Sequence, residues 1–288
     1  MARTWVLGGG GARGAAQAGV LLALFEAGVE PPARIVGASV GSLNGAALAS
    51  YPSLAGAEML RQIWLSDLAR DVFKVQRRRV LVSRLRGRLS LLPSTPIRRL
   101  IDRTSRMTGA TSFKDLRVPL LVLATDLSAG RPVILREGPL APALLASTAI
   151  PGVYPAVHID GRDYLDGGVV ENTPISSAFE EGAREVLAIG LMAGAELTEP
   201  PSTWAEVIGR TLQLSLHHSM LSDFERLRHR ARMTVLCPIT PVDADRVAST
   251  GRLQEMMERA RAATAGLLRG KGSRLFRRSE IHYMDIRG

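Results

Sequence analysis

Cysteine is almost missing from this chain: Cys237 is the single one in 288 residues. One thiol closes no intrachain disulfide and builds no thiolate metal site, so a disulfide-stapled scaffold and a zinc ribbon are both excluded. That usage fits a reducing compartment. The five histidines (His158, His217, His218, His229 and His282) lack ligand spacing, so no metal is expected. Aromatics make up 5% of the chain, and a ligand pocket should therefore be lined mostly by aliphatic side chains. No apolar run approaches the length that spans a bilayer. No apolar h-region stands at the N-terminus, where Trp5-Val6-Leu7 reads as a strand. A cytoplasmic protein is the expectation.

What the chain does have is apolar residues, arginines and glycines. A hydrophobic content of 46% and a mean hydropathy of +0.08 are ample for a substantial core. The formal charge of +10 is concentrated. Between Arg70 and Arg106 twelve basic residues face only Asp71 and Asp102, a net charge as large as that of the whole chain. A second basic cluster (Arg269, Lys271, Arg274, Arg277, Arg278) lies near the C-terminus.

Taken in order, Trp5 to Leu7 predicts a strand, Ala15 to Ala27 a helix with Val20, Leu21, Leu24 and Phe25 on its apolar face, and Arg34 to Val36 a second strand. Strand, helix and strand in so short a span make a βαβ unit with a right-handed crossover, hence a parallel sheet. Further helices are expected over Ala55 to Ala69, Arg98 to Met107, Pro139 to Ser147, Pro174 to Gly182, Thr203 to Arg232 and Asp243 to Leu268. Strands are expected over Leu116 to Asp126, Glu185 to Met192 and Met233 to Ile239, with a ribbon from Val157 to Leu165 turning at Asp160-Gly161. The sequence ends in a basic tail.

The chemistry centres on Gly37-Ala38-Ser39-Val40-Gly41. A short β-branched run leads into it and a small-residue helix leaves it, which is the strand–turn–helix context of a nucleophile elbow. Gly37 and Gly41 would spare the tight turn a collision, and the helix N-terminus would aim unpaired N–H groups at Ser39. On the pentapeptide alone, an activated serine and an ordinary glycine-rich turn both stand. The loop Gly8 to Gly14 leaves the neighbouring strand, and its amides are candidates for holding an oxyanion. The same loop fits a dinucleotide fingerprint as Gly9-x-Gly11-x-x-Gly14. That reading needs an acidic residue ending the second strand, where the chain has Gly37-Ala38-Ser39 instead, so no cofactor is expected. For a base, no histidine has a persuasive setting. Asp166 does: it ends an alternating strand, and Gly167-Gly168 permit close backbone approach and offer it N–H donors. Asp126 is the weaker candidate, better suited to ordering its own turn.

These motifs in this order, with the run Ala146-Ser147-Thr148-Ala149-Ile150-Pro151-Gly152-Val153-Tyr154-Pro155, resemble the bacterial patatin-like phospholipases. The resemblance covers roughly residues 4 to 195. It implies an α/β fold, a three-layer α/β/α sandwich around a mostly parallel sheet with a mainly helical C-terminal part. It also implies a lipid acyl hydrolase with a Ser–Asp dyad, Ser39 as nucleophile and Asp166 as base. The amides of Gly9, Gly10 and Gly11, beside Arg13, would form the oxyanion hole, with Gly14, Gly37, Gly41, Gly167 and Gly168 supporting the motifs. The catalytic core would then span residues 4–195, including a basic helical insert at 70–106, with residues 196–288 a helical region with one core strand, packed on the same domain.

Lys74 to Arg106 mixes arginines with Val, Leu and Ile, as suits peripheral contact with an anionic membrane on its inner face. Nucleic acid is not expected, because neither a binding-fold signature nor interleaved aromatics accompany the charge. The alternatives to a hydrolase are a non-catalytic membrane- or anion-binding module on the same fold, and an acyltransferase that passes its acyl group to an acceptor other than water. Oligomeric state is left undetermined by the sequence.

Overall fold

The computed structural model describes residues 3–73, 92–193, 204–240 and 249–287, so the most basic part of the insert, Lys74 to Arg88, lies outside the described residues. Strands β1 (Thr4–Leu7), β2 (Arg34–Ala38), β3 (Leu120–Asp126), β4 (Arg131–Leu135), β5 (Val157–Ile159), β6 (Arg162–Asp166), β7 (Glu185–Ile189), β8 (Met192–Ala193), β9 (Arg232–Thr240) and β10 (Glu280–Asp285) form one sheet. Its order is β10-β9-β7-β1-β2-β3-β6-β5, with β4 also on β3 and β8 also on β9. All pairings from β10 across to β3 are parallel, and β3, β4, β5 and β6 pair antiparallel.

Helices cover both faces: α1 (Gly14–Glu26), α2 (Val40–Ser50), α3 (Leu54–Trp64), α4 (Asp67–Phe73), α5 (Thr95–Thr108), α6 (Leu140–Ser147), α7 (Ile175–Glu180), α8 (Trp204–Leu227) and α9 (Thr250–Lys271). Strand residues alternate between the two layers. Trp5, Leu7, Ile35, Leu187 and Leu236 join the core beneath α1, α2, α3, α5, α6 and α9. Val6, Val36, Val186, Val235 and Cys237 join the opposite core, beneath α7 and α8. Burial on both faces explains why the central strands read as continuous apolar runs rather than alternating ones.

Among the elements that differ from the sequence reading, four do so for a physical reason visible in the packing. The helix expected over Ala55 to Ala69 is two helices, because Ser66 caps a fresh start: its hydroxyl accepts from Ala69 N at 3.4 Å. Helix α1 is buried all round from Gly14 to Leu24, since α9 lies over the side turned away from the sheet. The two helices touch at Gly19, where an added Cβ would stand 2.0 Å from the Met257 carbonyl oxygen. The strand expected from Glu185 to Met192 stops at Ile189, and Met192–Ala193 pairs with the far end of β9 instead. The basic tail holds an edge strand, β10, whose inward residues are His282 and Met284; a histidine at an inward position hides the apolar alternation.

A buried polar chain ties the first helices to the sheet beside the glycine loop. Trp64 Nε1 donates to Asn44 Oδ1 at 2.9 Å, and Asn44 Nδ2 donates to Gln17 Oε1 at 2.9 Å and to Gly14 O at 3.1 Å. Gln17 Nε2 in turn donates to Gly8 O at 3.2 Å and Ile189 O at 3.4 Å. All three side chains are buried, so their polar atoms depend on one another. Asn44→Ala leaves the Gln17 side-chain carbonyl without its donor and should destabilise the protein by about 1–3 kcal/mol. Urea unfolding checks this; a loss below about 0.5 kcal/mol, the range of neutral surface changes, would remove the network from the account.

Candidate active site

Ser39 stands between β2 and α2 with φ 51° and ψ −127°, left-handed backbone that a side-chain-bearing residue adopts only under constraint. Asp160, in the β5–β6 turn, is the other such non-glycine among the described residues. The constraint at Ser39 is close packing. A Cβ at Gly41 would lie 2.0 Å from the Leu7 carbonyl oxygen, and one at Gly37 would lie 2.7 Å from the Gly41 carbonyl oxygen. Both positions of the elbow thus admit only glycine. The Ser39 N–H donates to Ser147 Oγ at 3.0 Å, and that hydroxyl donates onward to Leu123 O at 2.6 Å. The Ser39 carbonyl accepts from Ser42 Oγ at 2.6 Å. The turn is therefore held from three sides.

Asp166 ends β6, opposite Ala124 of β3. Thr125 Oγ1 donates to its carbonyl at 2.8 Å, and its own N–H donates to Ala149 O at 3.0 Å. Both carboxylate oxygens are used. Ser39 Oγ donates to Oδ2 at 2.6 Å, and Gly168 N donates to Oδ1 at 2.7 Å. Gly167 is required where it is, since a Cβ there would stand 2.4 Å from Leu123 O. Burial pushes the Asp166 carboxyl up to about 6, against the pull of its bonds from Ser39 and Gly168. No histidine is among the hydrogen-bond partners of Ser39 or Asp166; His158 pairs with Asp163 on the exposed β5–β6 hairpin. Asp126 accepts from Ser128 N, Ala129 N and Arg162, so it orders its own turn, and those donors hold its carboxyl below the usual range.

The glycine loop passes beside the Ser39–Asp166 pair. A Cβ at Gly9 would lie 3.0 Å from Ser39 Cβ and 2.5 Å from Asn172 Oδ1. The three loop amides are not equivalent. Gly9 N donates to Asn172 O at 2.8 Å, whereas the N–H groups of Gly10 and Gly11 have no partner among the described residues. Gly11 takes the positive φ of 56° that lets the loop enter its 3-10 turn. Arg13 is buried, and its Nε donates to Thr240 Oγ1 at 3.0 Å, which ties the loop to the end of β9. Gly14 is pressed between Trp64 and Val40. The structure thus brings Ser39 against both Asp166 and Gly9, and Gly168 against Asp166. It also reveals residues to which the sequence reading gave no role: Ser147 under the elbow, Asn172 clamping Gly9 through both its carbonyl and its side chain, and Thr240 under Arg13. Ser147 lies in the run that carries the resemblance and Asn172 six positions after Asp166, whereas Thr240 had no signal in the sequence.

Among the described residues, no helix is long and apolar enough to cross a membrane. The family model described as patatin-like phospholipase matches residues 5–179. An uncharacterized NTE family protein of Mycobacterium tuberculosis is 31% identical over 210 residues, covering 72% of this chain and 54% of that protein. A rat patatin-like phospholipase domain-containing protein 7 is 31% identical over 186 residues, covering 64% of this chain and 13% of its own length. The chain thus spans about half, or much less, of these relatives. Among solved structures, VipD from Legionella pneumophila aligns over 93% of this chain and 67% of its own with a TM-score of 0.55 at 14% identity, a likeness of fold. With a family match covering more than half of its residues, the chain belongs to the patatin-like phospholipase family.

Proposed function

We propose that this protein is a serine acyl hydrolase that cleaves ester bonds of phospholipids or lysophospholipids through a Ser39–Asp166 dyad. The observation that carries the reading is the 2.6 Å hydrogen bond from Ser39 Oγ to the buried Asp166 carboxylate. In the first step Oγ attacks the ester carbonyl carbon while Asp166 Oδ2 takes its proton. The carbonyl oxygen becomes an oxyanion, stabilised by the N–H groups of Gly10 and Gly11 with the α2 N-terminus behind the serine. Gly9 and Arg13, committed to Asn172 and Thr240, hold that loop in place. The intermediate collapses, the leaving alcohol takes the proton from Asp166, and the acyl group stays on Oγ. Water, deprotonated by Asp166, then releases the fatty acid and restores Ser39.

Peripheral contact with an anionic membrane, on its inner face, belongs to the same reading. Helix α5 buries Ile97, Leu100 and Ile101 and turns Arg98, Arg99, Arg103 and Arg106 to solvent. Helix α8 exposes Val207, Ile208 and Leu212, each half or more accessible. Exposed cations and exposed apolar side chains are the two components that an interface of phosphates and acyl chains takes.

Three outcomes test this. A fluorophosphonate probe should label the parent and not Ser39→Ala, and Asp166→Asn should slow labelling by about 100-fold or more, the range of general-base contributions; a folded parent that resists the probe would shift the assignment to a non-catalytic binding module. Because the Asp166 base works only when ionised, kcat/KM should rise with pH through about 6 and then level. Stability runs the other way: between the unfolded carboxyl value of 3.8 and about 6 the native state binds the extra proton, so this group's contribution falls as pH rises. A profile flat from pH 4.5 to 8 would remove Asp166 as the base. Finally, replacing Arg98, Arg99, Arg103 and Arg106 by Gln should weaken co-sedimentation with phosphatidylglycerol vesicles, at about 1 kcal/mol per cation; unchanged binding would exclude α5 from the contact.

A further inference from the structure

One buried acid takes no part in the steps above. Glu171 follows closely after Asp166 in the chain and is 7% exposed. Among the described residues, no cation hydrogen-bonds to it; its carboxylate reaches forward along the backbone instead. Oε1 accepts from Ser176 N at 2.6 Å and from Ser177 N at 3.2 Å, and Oε2 accepts from Ser177 Oγ at 2.6 Å. A carboxylate taken out of water is costly unless donors meet it, and here the donors include early N–H groups of α7 that no helical carbonyl can satisfy. Burial pushes this carboxyl up to about 7, with Asp223 of α8 adding to the push, against the pull of its bond from Ser177. Ionised or neutral, the group keeps an acceptor oxygen for Ser176 N, so the contact does not depend on its charge.

The result is a clasp. The Glu171 side chain closes the chain from 171 to 177, and Asn172 is held inside that closure. Asn172 O accepts from Gly9 N at 2.8 Å, and Asn172 Nδ2 donates to Gly9 O at 3.2 Å. Its side chain also crowds Gly168, where an added Cβ would stand 2.9 Å from Asn172 Oδ1. The clasp is tied down at both ends. Upstream, Glu171 N donates at 3.1 Å to the carbonyl of Gly167, the residue after Asp166. Downstream, Ile175 and Ala178 are wholly buried, and Arg226 of α8 donates to Ser176 Oγ at 2.6 Å.

We infer that Glu171 is a positioning residue for the reaction: by closing this clasp it fixes Asn172, and through Asn172 the glycine loop whose Gly10 and Gly11 amides receive the oxyanion. The inference rests on the hydrolase reading above and adds to it a residue that touches neither substrate nor reacting atoms. An oxyanion exists only after the attack, so a loosened loop loses transition-state stabilisation and leaves ground-state binding alone. The signature is a fall in kcat with KM unchanged.

The test compares full-length Glu171→Leu and Glu171→Gln with the parent, by amide hydrogen exchange and by kcat and KM on p-nitrophenyl butyrate. Leucine fills the space without an acceptor, whereas glutamine keeps one oxygen for Ser176 N. Glu171→Leu should speed exchange at Gly9 by about tenfold more than at Val6 in the core of β1, because local opening is separable from global unfolding. Its kcat should fall by about tenfold, less than the loss of a whole oxyanion donor, with KM within about twofold of the parent. Glu171→Gln should recover most of both losses. If the leucine variant does not fold, Glu171→Asp takes its place with the same outcomes expected, since it is one carbon too short to reach Ser176 N. Exchange at Gly9 that only keeps step with Val6 would make Glu171 a cap of α7 alone and overturn the inference. So would a rise in KM at constant kcat, or a glutamine variant as impaired as the leucine one. The exchange readout needs no turnover: a parent that resists the fluorophosphonate probe loses the hydrolase reading, while exchange at Gly9 still decides the clasp.

Discussion

The site depends on how closely the first turn of α2 lies over the end of β1. At Gly41 the two backbones approach until a single added carbon would sit 2.0 Å from the Leu7 carbonyl oxygen. That approach forces the chain to turn sharply at Ser39 and gives the residue its left-handed backbone, at a cost of about 1–3 kcal/mol. It also sets the elbow against the start of the glycine loop, since Leu7 and Gly8 lead directly into Gly9. One contact of glycine on backbone therefore fixes both the Ser39 turn and the loop amides beside it. The Ser147 hydroxyl and the Trp64–Asn44–Gln17 chain then hold the two segments where that contact puts them.

The second constraint is electrostatic. Asp166 is buried, and burial alone would favour its neutral form. The hydroxyl of Ser39 and the N–H of Gly168 bond to its two oxygens and partly offset that cost. The balance leaves a carboxyl that ionises near 6, a stronger base than an exposed aspartate yet still charged at neutral pH. The carboxylate meets the Ser39 hydroxyl directly, with no histidine between them. The antiparallel pairing of β6 on β3 makes the meeting possible, delivering Asp166 beside the parallel strands that carry the elbow and the loop.

The central βαβ unit was legible because its apolar runs, its small-residue helices and its glycine clusters all agree with one parallel architecture. The elbow, the glycine loop and Asp166-Gly167-Gly168 were legible because close backbone approach demands glycine, and glycine at fixed offsets leaves a mark. The roles of the residues that support them left none. Ser147, Asn172, Asn44, Gln17 and Thr240 are ordinary polar residues whose roles come from being buried beside a particular backbone atom, and burial is a property of the whole fold. The edge strand β10 escaped for a related reason, since His282 faces inward and breaks the apolar alternation.

Sequence by itself determined the order of strands and helices at the centre of the chain, the positions where only glycine fits, and the two residue types, serine and aspartate, that can make a dyad. These are local matters, set by sterics and by the period of apolar residues. Tertiary structure alone decided that Ser39 and Asp166, 127 positions apart, share a hydrogen bond, and that Gly9 spends its amide on Asn172 while Gly10 and Gly11 do not. It also decided that α8, which carries no motif, reaches Ser176 through Arg226. Long-range packing places those groups, and no short stretch of sequence encodes a distance between segments that meet only when the sheet is complete.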